Sequence, residues 1–166
     1  MASTYSFDVT TGCDLQEVDN AVNQAQKEVA QRFDFKGSEV LIDFKRAENL
    51  IKLEAEGEMR AEALLDVLRG KLVKRGVPVK NLEVTDLKPG GGEIMRRDIK
   101  LKMALDSDTA KKVSAAIKEA KLKKVTASIQ GDQVRVSSPD KDALQEAITL
   151  LRKGDYGVEL QFGNYR

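Results

Sequence analysis

Ile51-Lys52-Leu53, with the apolar helix pattern that runs on to Leu68-Arg69, recurs as Val134-Arg135-Val136 with a helix pattern that runs to Leu151-Arg152. Both ends of the echo are offset by 83 positions, so the two stretches align without a gap. An ungapped repeat of a strand and a helix marks two copies of one unit.

The second copy reads outward from that core. Ile99, Leu101 and Met103 alternate with Lys100 and Lys102, the period of a half-buried strand. Asp106 and Ser107 offer N-cap oxygens to a helix whose apolar face is Ala110, Val113, Ile117 and Ala120. Val125, Ala127 and Ile129, a turn at Gly131-Asp132, then Val134 and Val136 make a hairpin. Ser138-Pro139 supplies a capping hydroxyl and a first-turn proline to a helix carrying Leu144, Ile148 and Leu151, which Gly154 ends. A strand near Val158 to Phe162 completes β-α-β-β-α-β, the split βαβ unit.

The first copy follows the same grammar. Tyr5, Phe7 and Val9 open it, and Asp14 with Glu17 starts a helix with the stripe Leu15, Val18, Val22, Ala25 and Val29. Val40, Ile42 and Phe44 pair with Ile51, Leu53 and Ala55 across a turn at Arg46 to Asn49. Ala61, Leu64, Leu65, Leu68 and Leu72 line the second helix, and 82–87 is the expected fourth strand. Lys88-Pro89-Gly90-Gly91-Gly92 reads as a linker, so the expected division is 1–89 and 90–166. The predicted class is α+β, a tandem of two ferredoxin-like (RNP-like) units with antiparallel four-stranded sheets. Terminal strands of duplicated units exchange readily, so the opening strand can complete either sheet.

Composition narrows the chemistry. The chain has no histidine, which excludes imidazole-based triads, histidine zinc sites and histidine acid-base catalysis. Its single cysteine, Cys13, excludes an internal disulfide and fits a turn before a helix. The triple glycine lacks the Lys-Ser/Thr that follows in a phosphate loop. No carboxylate pair stands out, so the reading is not an enzyme and needs no cofactor. No apolar run approaches membrane-spanning length, and Met1 to Ser6 has neither a basic nor an apolar leader segment, so no membrane is expected and the cytoplasm is the default.

Net charge is +1, but its distribution is uneven. Residues 96–124 carry ten basic and four acidic side chains, whereas residues 1–30 carry five acidic and one basic. If Ile99 and Leu101 face the helices, Lys100 and Lys102 face the other side of the sheet, joined by Arg135. With Thr126, Ser128, Gln130 and Gln133 they would form a basic, polar face where RNA-recognition domains hold nucleic acid, yet without the aromatic residues on which bases stack. The same face can equally be buried between units, against Ser6, Asp8 and Thr10. A second candidate is Arg32-Phe33-Asp34-Phe35-Lys36-Gly37. There one ring should be buried; Arg32, Phe35 and Lys36 are candidate ligand contacts, a ring for a base and cations for its phosphate, and structural anchoring of the helix-strand corner is the reading that outweighs this one, because rings are mostly spent on burial.

Ser6-Phe7-Asp8, Arg32-Phe33-Asp34-Phe35, Leu68-Arg69-Gly70-Lys71-Leu72 with Lys74-Arg75-Gly76, Ile129-Gln130-Gly131-Asp132 with Arg135-Val136, and the ending Gln161-Phe162-Gly163-Asn164-Tyr165-Arg166 closely resemble the bacterial YajQ family. The resemblance covers nearly the whole chain. It implies paired RNP-like units, nucleotide binding, and in some members recognition of cyclic di-GMP with onward contact to a transcription regulator. GTP and RNA are further ligands it suggests, and no catalytic motif comes with it. The expected function is therefore non-catalytic nucleotide binding, with Lys100, Lys102, Arg135, Arg32, Phe35 and Lys36 as contacts. The alternatives are an RNA-binding module of little sequence preference and a protein-interaction scaffold.

Overall fold

A computed structural model describes residues 4–166; Met1–Ser3, part of the stretch read above for a leader, lie outside the described residues. In chain order the elements are β1 (Tyr5–Thr10), α1 (Leu15–Gln31), β2 (Val40–Lys45), β3 (Leu50–Glu56), α2 (Gly57–Lys74), β4 (Leu82–Val84), β5 (Lys88–Pro89), β6 (Ile94–Leu101), α3 (Ser107–Glu119), β7 (Thr126–Gln130), β8 (Gln133–Ser138), α4 (Lys141–Lys153) and β9 (Gln161–Gly163). They divide into two ferredoxin-like units. A continuous unit spans Cys13–Lys102, and a split unit joins the segment ending at Gly12 to Met103–Arg166.

In the split unit the strand order is β7-β8-β1-β9, antiparallel throughout. In the continuous unit it is β2-β3-β6-β4, with the short β5 also paired to β6, which makes five strands. The expected boundary between residues 89 and 90 is therefore corrected. β1, placed in the first unit with exchange into the second allowed for, makes that exchange and completes the sheet of the second. β6, expected to open the second, fills the matching central position in the first. The reason is physical: period-two alternation says that a strand is half-buried, not against which helices. Phe7 and Val9 of β1 pack with Val113, Ile117, Ile148 and Leu151 of α3 and α4. Ile99 of β6 is fully buried opposite Ile51, on the same face as Leu53 and Ala55. Each large apolar side chain so buried stabilises its unit by about 1.5–3 kcal/mol.

The glycine run is also corrected. It is the turn of a hairpin between β5 and β6, closed by the Gly90 amide on the Ile94 carbonyl at 2.8 Å and the Ile94 amide on the Gly91 carbonyl at 3.0 Å. Lys88 and Pro89 pair with Arg96 and Met95. The fourth strand is shorter than 82–87: after Val84 the Thr85 amide still donates to the Asp98 carbonyl of β6 and the Thr85 hydroxyl accepts the Asp98 amide, both at 2.9 Å, and ladder pairing to β6 resumes at Lys88.

Three helices have side-chain caps. The Asp14 carboxylate accepts from the Gln16 and Glu17 amides, Asp106 from Thr109, and Asp140 from Asp142. Ser138 and Pro139 lie before α4 rather than opening it; the Ser138 hydroxyl instead accepts the Asp140 amide at 3.0 Å. α2 differs, since Glu56 stands at its N-cap without a side-chain cap bond.

Candidate functional site

The segment after α1 turns through a single helical turn, Phe33–Phe35, and this turn sorts the two rings. Phe35 is 4% exposed, its ring covered by the Arg32 guanidinium at 5.4 Å. Phe33 is 88% exposed. Of the two rings it is Phe35 that turns inward and anchors the corner, while Phe33 is the ring left exposed. The sequence shows that one of two rings must turn inward but not which, because that depends on the pitch of a three-residue turn.

Arg32 is engaged too. It lies bidentate on Asp34 at 3.0 and 2.8 Å and within 3.7 Å of Glu28. This pairing holds the Asp34 carboxyl below its ordinary range. Arg32 therefore braces the turn, while Lys36 at its end is exposed.

Phe33, Asp34 and Lys36 share an open concavity of about 700 Å³ with Glu56, Gly57, Glu58, Met59, Arg60 and Ala63 at the start of α2. Met59 is 86% exposed, and Arg60 Nε donates to the Asp34 carbonyl at 3.0 Å. The uncapped first turn of an 18-residue helix thus borders the cavity. The Gly57 amide donates to the Glu93 carbonyl at 2.9 Å; the positive end of the helix dipole favours an anion at the amides that follow, set among the carboxylates of Asp34, Glu56 and Glu58 that line the same cavity. A ring and a thioether suit a planar base, and Lys36, Arg60 and the helix start supply the positive charge of a cavity that also holds three carboxylates. Sequence reading missed Met59, Arg60 and the helix start; the missing N-cap residue ahead of the Ala61-Leu64-Leu65 stripe was the signal that could have found them.

The other candidates do not share a sheet. Lys100 lies in β6 between Leu50 and Glu83, in the continuous unit. Lys102 ends that unit, its main chain exchanging bonds with Asn81. Arg135 lies in β8 of the split unit. Exchange of β1 and β6 between sheets is what separates them. Arg135 donates to Asp8 of β1 at 3.0 and 3.4 Å, and Asn164 after β9 donates to the same carboxylate at 2.6 Å. These bonds, led by Arg135, keep the Asp8 carboxyl below its ordinary range despite burial.

The face of the continuous sheet away from the helices alternates in sign. Asp43, Lys52 and Asp98 lie opposite one another across β2, β3 and β6, beside Glu54 opposite Arg96. Of the residues expected to form an open basic face, Lys100 lies on this sheet, opposite Glu83 of β4. Burial pushes the Cys13 thiol pKa up, which disfavours the reactive thiolate. Among the described residues no group of three metal-ligating side chains converges, and no helix is long and apolar enough to cross a membrane.

The paired ferredoxin-like units and the motif positions define a class of tandem RNP-like proteins. A sequence family described as nucleotide-binding protein YajQ-like matches residues 5–166. A nucleotide-binding protein of Desulfitobacterium hafniense (strain DSM 10664 / DCB-2) is 45% identical over 166 residues, covering all of both chains. One from Thermobifida fusca (strain YX) is 46% identical, again over all of both chains. Another, from Anaeromyxobacter sp. (strain Fw109-5), is 48% identical over 161 residues, 97% of this chain and 98% of the relative. The chain belongs to the YajQ family.

The motifs now acquire places. Ser6-Phe7-Asp8, Arg135-Val136 and Gly163 to Arg166 meet in the split sheet. There Phe7 contacts Phe162 at 5.9 Å and Tyr165 at 6.2 Å between ring centroids. Arg32 to Phe35 and Leu68 to Leu72 meet in the continuous unit, where Lys71 pairs with Glu28 at 3.0 Å.

Proposed function

We propose that this protein is a non-catalytic nucleotide-binding protein whose ligand seats at the start of α2, with a base on Phe33 and phosphate toward the helix amides, Lys36 and Arg60. The observation that carries the reading is the 88% exposure of Phe33 beside that uncapped helix start. Phe33 does not stand alone, since Met59, 86% exposed, lines the same concavity. The relatives' name, nucleotide-binding protein, supports the same class. Among nucleotides the resemblance favours cyclic di-GMP, and a cavity of about 700 Å³ has room for more than one ring system. Occupancy would then govern contact with a transcription regulator, the partner the resemblance implies. Lys100, Lys102 and Arg135 have less support as contacts: Arg135 is committed to Asp8, and the two lysines lie in the other unit.

Single-stranded RNA has less support as ligand. The central-strand positions where RNA-recognition sheets present rings hold Asp8, Arg135, Lys52 and Asp98. Calorimetric titration with cyclic di-GMP, GTP and a short single-stranded RNA tests the reading. Saturable binding of a small nucleotide that weakens in Phe33→Ala is expected. Silence from all three would overturn it in favour of an interaction scaffold.

A further inference from the structure

The split unit contains a second concavity, distinct from the one beside Phe33. It measures about 320 Å³ and lies between the first half of α4 and the start of β1 with the C-terminal segment. Leu144 and Ile148 form its apolar floor, Tyr5 and Tyr165 its aromatic walls, and Lys141 and Gln145 its rim. The Lys141 ammonium stands 4.7 Å from the centre of the Tyr5 ring.

The internal repeat supplies a comparison. Phe7 lies opposite Val136 and Arg97 opposite Leu53, so Phe7 and Arg97 occupy equivalent places on equivalent strands. In the continuous unit the space between this strand and its helix is crossed by Arg97, whose side chain is 9% exposed and whose Nη2 reaches Glu62 of α2 at 3.0 Å. In the split unit the Phe7 ring instead turns to Phe162 and Tyr165, and the cleft beside α4 stays open.

We infer that this cleft is a second ligand site, which takes a single planar aromatic ring system bearing an anionic group. The apolar floor and two tyrosines suit the ring, and Lys141 in the first turn of α4 suits the anion. The volume lies at the low end of the roughly 300–1,000 Å³ typical of ligand pockets, which selects a ligand of one ring system over a dinucleotide. A nucleoside monophosphate and an aromatic carboxylate present the same chemistry.

The inference does not depend on the site beside Phe33, and its test separates the two. Amide NMR spectra are recorded while the full chain is titrated with guanosine monophosphate, indole-3-acetate and, as neutral controls, guanosine and indole. Saturable shifts in residues 141–148 and at Tyr165 with either anion are expected, weaker by about tenfold for the neutral rings. Response to the monophosphate alone assigns a nucleotide, and response to the carboxylate alone an aromatic acid. Gln145→Trp, at an exposed position on the rim, should abolish these shifts, as should Lys141→Glu if the tryptophan variant misfolds. Phe33→Ala should leave them intact. Absence of saturable shifts with both anions, or shifts that persist in the folded rim variants, would overturn the inference.

Discussion

Asp8 is 4% exposed, yet it carries a charge on a sheet surface that its neighbours leave polar. Three donor contacts from Arg135 and Asn164 hold it, and they tie β8 and the C-terminal segment to β1. Removing the carboxylate leaves Arg135 without its partner, so Asp8→Ala should destabilise the split unit by about 3 kcal/mol, measured by urea denaturation. Because folding lowers the Asp8 pKa, its contribution is fully present above the unfolded value of about 4 and is lost as pH falls through the lower folded value. The acid limb of the stability curve should therefore flatten in Asp8→Asn. The two phenylalanines at the corner separate binding from folding in the same way. Phe35→Ala should lower stability by about 3–5 kcal/mol, whereas Phe33→Ala should change stability by less than about 0.5 kcal/mol. Phe33→Ala should instead weaken base stacking by about 1–3 kcal/mol.

At the scale of elements, most starts and stops were legible because a single side chain sets them. Asp14 and Asp106 cap α1 and α3 as their positions ahead of apolar stripes suggest, and Asp106→Ala should lower the thermal stability of the split unit by about 1 kcal/mol. The hairpin turn at Gly131-Asp132 and the end of α4 at Gly154 were legible for the same reason. The run Gly90-Gly91-Gly92 was not, since loose linkers and tight turns demand the same residue. Gly91 has φ +103, which disfavours any side chain. Gly91→Ala should lower stability by about 1–3 kcal/mol if the run is a hairpin turn, and a linker would tolerate it without change. Calorimetric melting of this variant distinguishes the two.

At the scale of the whole molecule, the repeat revealed two units of the right class and the possibility that β1 is exchanged, while the place of β6 and the boundary escaped because β1 and β6 satisfy either core. Phe7-Val9 and Ile99-Leu101 present the same alternation, and only packing assigns one pair to α3 and α4 and the other to the opposite unit. The basic face does not belong to one sheet, because the division puts Lys100 and Arg135 in different units, whereas the corner at Arg32 to Lys36, a local feature, stayed in place with Phe35 buried and Phe33 exposed. A fragment of residues 13–102 contains every strand of its sheet and should melt cooperatively by circular dichroism. A fragment of residues 1–89 lacks β6 and should not, and the reverse result would restore the boundary at the glycines. The measurement that bears most directly on function is calorimetric titration of cyclic di-GMP into the wild-type protein and Phe33→Ala. Saturable binding to the wild type, weakened about tenfold or more in the folded variant, is the predicted result. Equal affinity in both proteins, or no binding to either, would contradict a nucleotide seat at the start of α2.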